Sequence, residues 1–95
     1  MQGWWLFAKT IIEDHAVTSV IPLYHQKFPR FADAYEALKW NLARRADRLG
    51  LRSFVGGVEY RLYRQASDPL AFTPALIVVF TFTANDVTIL ALRAE

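Results

Sequence analysis

Ninety-five residues, 54% of them hydrophobic, can bury one core but not two, so a single domain over 1–95 is expected. Cysteine is absent, which excludes a disulfide frame and any Cys-ligated metal. Net charge is only +2, yet the segment from Lys27 to Arg64 holds nine basic against four acidic residues, net +5, and the remainder is net −3. Such an asymmetry suits a nucleic acid or an acidic protein partner, or an ordinary solvated surface.

The N-terminal MQGWWLFAKTIIED lacks the basic start and long apolar run of a secretory signal, so the cytoplasm is the expected compartment. Trp4 to Ile12 mixes aromatic and β-branched residues and reads as a strand. It stops at Glu13-Asp14, where Asp14 can cap a helix. Val17, Val20, Ile21, Tyr24 and Phe28 then recur at helical spacing, although Pro22 removes a backbone donor and clashes with the preceding turn. This first helix is therefore short, kinked, or begins near Ser19, which would set Pro22 in its tolerant first turn.

The second helix is the strongest pattern in the chain. Phe31, Ala34, Tyr35, Leu38, Leu42, Ala46 and Leu49 form one apolar stripe, Pro29 introduces it, and Gly50 follows its last turn. Asn41, Arg44, Arg45 and Arg48 lie opposite. Cations there favour the negative end of the helix dipole, by about 0.3 to 1 kcal/mol each, and they could also hold a ligand.

After Gly50 the chain becomes strand-like: Ser53 to Val55, a Gly56-Gly57 break, then Val58 to Gln65, with Tyr60, Leu62 and Arg64 on one face and Arg61, Tyr63 and Gln65 on the other. A loop with two prolines, ASDPLAFTP, leads into ALIVVFTFTANDVTILAL. That last run approaches the length of a bilayer-spanning helix. Its Val, Ile, Phe and Thr content and the interruption at Ala84-Asn85-Asp86 favour a β-hairpin, since Asn and Asp tolerate the left-handed backbone of a tight turn. The first arm is expected to be buried on both faces, and no membrane association is expected.

The predicted order is one strand, two helices and then three or four strands, β-α-α-β-β-β in outline, an α+β fold with two helices packed on one face of a mainly antiparallel sheet. The first strand should cross over to pair with a late one. His15 and His25 lack metal-ligand spacing, Glu13 and Asp14 point apart, and no phosphate-binding glycine motif occurs, so no metal and no cofactor are expected. The remaining constellation is basic and aromatic. Arg61 and Tyr63 share a strand face, and the helix end carrying Arg44, Arg45 and Arg48 precedes them. Guanidinium groups bind phosphate and aromatic rings stack on bases. The alternative is a solvated Arg61 beside a sheet-covering Tyr63.

The order of elements, with FPRFADAYEALKWNLARRADRLG as second helix, EYRLYRQ as the next strand and ALIVVFTFTANDVTILALRAE as terminal hairpin, resembles the RelE/ParE superfamily of bacterial toxins. The likeness spans nearly the whole chain, and the hairpin is its most specific part. It implies a cytoplasmic toxin of a toxin-antitoxin pair, of the kind associated with plasmid stabilisation, neutralised by a cognate antitoxin protein and acting on the ribosome and its mRNA or on DNA gyrase.

Arg61 falls where the RNA-cleaving branch has a basic strand residue, and Tyr63 follows on that face. The family's basic residue at the start of the hairpin would fall near Ile77, and the chain stops at Arg93-Ala94-Glu95, before the Arg and Tyr or His-Tyr segment of active ribonucleases. A toxin-family protein acting by binding is therefore the first expectation. An mRNA interferase using Arg61, Tyr63 and Arg93 in a rearranged site is the second, and a gyrase-binding or orphan interaction module is the third. Arg44, Arg45, Arg48 and Arg61 would contact nucleic acid or a partner. Trp4, Trp5 and Trp40, with Phe7 and Tyr35, exceed the needs of a small core, so some of this surface should meet an antitoxin or a second copy in a homodimer.

Overall fold

A computed structural model describes residues 8–95. In chain order the elements are β1 (Thr10–Glu13), α1 (His15–Thr18), α2 (Ile21–Lys27), α3 (Phe31–Arg45) with a 3₁₀ turn over Ala46–Arg48, β2 (Leu51–Val55), β3 (Val58–Gln65), β4 (Leu76–Phe82) and β5 (Asp86–Ala94). The α+β expectation is borne out, with the helices on one face of a five-stranded sheet ordered β1-β5-β4-β3-β2. As expected for a crossover, β1 pairs with β5 and is parallel to it, while the other three pairings are antiparallel. The part of the expected first strand before residue 8 lies outside the described residues.

Local chemistry explains the first helical region. The Asp14 side chain accepts from the Ala16 amide at 3.0 Å and starts α1, while Glu13 turns the other way, toward Tyr35. Pro22 sits in the first turn of α2, where its missing N–H costs nothing, so the pattern becomes two short helices. Along α3 the stripe is buried as read: Phe31, Ala34, Tyr35, Leu38 and Leu42. Ala46 continues it in the 3₁₀ turn. They meet Leu76, Val78 and Phe80 of β4 and Val87, Ile89, Leu92 and Ala94 of β5. Each fully buried Leu or Phe contributes about 1.5 to 3 kcal/mol by removal of apolar area from water. Tyr35, expected among the surplus aromatics, belongs to this core, whereas Trp40 is 56% exposed.

Gly50 ends the helical segment at φ +83°, and a Cβ there would lie 2.6 Å from the Leu62 carbonyl oxygen. Only glycine fits both demands. The terminal hairpin forms, but two details differ from expectation. The open side of β4 is half-buried, since Ile77 and Val79 alternate with buried Leu76, Val78 and Phe80; no second layer covers them among the described residues. Its turn uses no left-handed Asn or Asp. Instead the Thr83 hydroxyl accepts from the amides of Asn85 and Asp86, at 3.2 and 3.0 Å. A register shift between Val79 and Phe80 makes Leu90 the extra residue of β5, so that Ala91 and Arg93 face away from the helices. No helix of the described residues is long and apolar enough to cross a membrane.

Candidate interaction surfaces

Arg61 is placed by β3 on the helix-covered face and is 8% exposed. Its Nε donates to Glu59 Oε2 at 2.7 Å, and its Nη1 donates to the carbonyls of Leu49 at 3.1 Å and Asp47 at 3.3 Å. The guanidinium also lies 5.3 Å from the Phe82 ring centroid. Carbonyls at the end of a helical segment have no partner within it. Arg61 supplies one, and so holds the end of the α3 segment against β3. Hydrogen bonds from Arg52, then from Arg61, keep the Glu59 carboxyl below the usual carboxylate range.

Tyr63 lies next to Arg61 on the same face, partly buried against the core. Arg93 lies on the opposite face, exposed, with Nη2 2.8 Å from Glu95 Oε2. The three residues expected to form a rearranged catalytic group are therefore not brought together. The β5 irregularity at Leu90 and the pleat of the sheet put Arg93 across β4 from Arg64, with Ile77 between them. Glu95 reaches Arg64 as well, at 3.7 Å.

The helix-end arginines stand apart from both groups. Arg44 stacks its guanidinium on Trp40, 3.6 Å from the ring centroid, on the outer face of α3. Beside it is a groove of about 430 Å³ lined by Glu36, Ala37, Trp40 and Asn41. Arg45 and Arg48 are exposed and have no carboxylate partner among the described residues. A basic strip thus runs along the last turns of α3, and Arg61, expected to join it, is directed inward. Among the described residues no group of three or more His, Asp or Glu side chains could hold a metal ion.

The feature that sequence reasoning missed is the sheet face turned away from the helices. Leu51, Val55, Val58 and Leu62 are all exposed there by 46 to 73%. A shallow apolar depression of about 360 Å³ is lined by Ser53, Val55, Tyr60, Arg61, Leu62 and Val79. The signal was present in the sequence, since Val58, Tyr60 and Leu62 alternate with charged residues. Alternation alone cannot say which of two faces the helices cover. Comparison with protein-family models, curated proteins and solved structures gives no match.

Proposed function

We propose that the chain is a toxin-family domain of the RelE/ParE type that acts by binding a macromolecular target and is held in check by a cognate antitoxin. The element order and the packing of helices on one sheet face support this reading. The position of Arg61 carries the choice of binding over cleavage. A cation that stabilises a phosphoryl transition state must lie within hydrogen-bond reach of the developing charge. Arg61 instead spends its donors on Glu59, Asp47 and Leu49, and Arg93 is on the other side of the sheet. Arg45 and Arg48, with Arg44 on Trp40, supply the cationic contact surface.

The test is induced expression with and without the adjacent reading frame, followed by primer extension on bulk mRNA. Growth arrest relieved by the neighbour, with no new mRNA ends, is the expected result. New site-specific mRNA ends that vanish in a folded Arg61→Lys variant would establish an mRNA interferase in its place. No arrest under either condition would leave an orphan interaction module on this fold.

A further inference from the structure

Strand β2 closes one side of the sheet, and its five residues, Leu51-Arg52-Ser53-Phe54-Val55, are all exposed. Gly56 and Gly57 have φ values of +60° and +81°, the signature of a two-residue turn that makes Val55 and Val58 a hydrogen-bonded pair. Hydrogen-bonded and non-bonded pairs alternate along an antiparallel ladder. Leu51, Ser53 and Val55 therefore direct their peptide groups to β3. Arg52 and Phe54 direct theirs to the free edge.

Natural edge strands are usually blunted by proline, bulges or charged side chains. β2 has no proline and no bulge. Its one charge, Arg52, is taken up by Glu59, with Nε 3.1 Å from Oε2 and Nη2 3.2 Å from Oε1. We propose that β2 pairs antiparallel with β2 of a second copy across a two-fold axis at Ser53, joining two sheets edge to edge in a homodimer.

The sequence of the strand is self-complementary in that register. The outward peptide groups of Arg52 and Phe54 meet those of the partner copy's Phe54 and Arg52, which gives hydrogen-bonded pairs on both sides of the axis. On the open face Leu51 meets Val55, extending the apolar strip with Val58 and Leu62 across the junction. On the other face Arg52 meets Phe54, a cation beside a ring, the pairing these two side chains already make within one strand at 5.8 Å. Small Ser53 faces itself at the axis. Shifting the axis to Arg52 would set like charges opposite each other, and shifting it to Phe54 would leave part of the strand unpaired. The register at Ser53 alone pairs all five residues.

The absence of cysteine permits a direct test on the full chain. The two Ser53 positions would form a non-hydrogen-bonded pair with Cα atoms about 4.5 Å apart, within the range a disulfide spans. Under mild oxidation, Ser53→Cys should give covalent dimer about tenfold or more faster than Ser19→Cys, an exposed position outside β2. In sedimentation the wild type should show a monomer–dimer equilibrium. Phe54→Pro removes an edge-facing N–H that β3 does not use, so it should weaken that equilibrium about tenfold or more while keeping a cooperative melt. The cysteine comparison reads the same contact should that variant fail to fold. A strict monomer at the highest soluble concentration, or equal cross-linking rates for the two cysteine variants, would overturn the proposal.

Discussion

The Tyr35 hydroxyl, on α3, donates to the Glu13 carboxylate at the end of β1, twenty-two residues earlier in the chain. Tyr35 is 4% exposed. Its stripe position puts the ring among Phe31, Leu38 and Leu42, and its polar tip needs a partner at that depth. Glu13, which sequence reading treated only as half of an acidic pair, supplies one.

Burial, then the hydrogen bond to Glu13 and the negative charges of Glu13 and Glu36, push the Tyr35 hydroxyl well above the ordinary tyrosine value. A folded-state value above the unfolded value near 10 stabilises the fold at all pH below the unfolded value. That contribution is lost as pH rises past it toward the folded value. Denaturant titrations between pH 8 and pH 12 should show stability falling at the alkaline end. The Tyr35→Phe protein should lose this part of the dependence and start about 1 to 3 kcal/mol less stable.

Arg61→Ala should destabilise the fold by about 2 to 3 kcal/mol, because it strips charged hydrogen bonds from the carbonyls of Asp47 and Leu49 and from Glu59. Urea unfolding of the purified variant measures it. A loss below about 0.5 kcal/mol, typical of a surface site, would show that the inward network is not what Arg61 contributes.

At Gly50, φ +83° and the closeness of the Leu62 carbonyl act together. Gly50→Ala should cost more than the roughly 1 kcal/mol of conformational strain alone, since β3 or the helix end must also shift. Gly56→Ala is the control: it shares the positive φ but has open space around it. The difference between the two melting temperatures isolates the contact.

Val79 sits in β4, between β3 and β5. Proline there removes an inner-ladder donor, and its ring is not accommodated in a central strand. Val79→Pro should fail to fold cooperatively by circular dichroism. A stable Val79→Pro protein would contradict the placement of this strand inside the sheet.

Replacing Arg44, Arg45 and Arg48 together by Ala should leave the fold in place, because Arg45 and Arg48 are exposed and Arg44 lies on the outer face of α3 against Trp40, itself 56% exposed. If this strip contacts nucleic acid, the triple variant should bind more weakly and show a shallower dependence of affinity on salt, each lost phosphate contact reducing the slope by about one. An unchanged salt slope would move the contact to another surface.

The sequence by itself determined the α+β class and the broad order of elements, the buried stripe of α3, the Asp14 cap and the two-arm terminal hairpin, because each is encoded by local spacing or by backbone constraints on Pro and Gly. It could not determine which face of β3 the helices cover. Strand alternation separates Arg61 and Tyr63 from Leu62 and Arg64, but the two faces differ little in composition. Only packing turned the Arg61 face inward, because the end of the α3 segment leaves carbonyls that Arg61 satisfies. The same choice left Leu51, Val55, Val58 and Leu62 uncovered. The bulge at Leu90 was equally invisible from spacing, and it sends Arg93 to the opposite side from Arg61. Periodicity is a property of one strand, whereas the meeting of side chains depends on register between strands, which long-range packing alone decides.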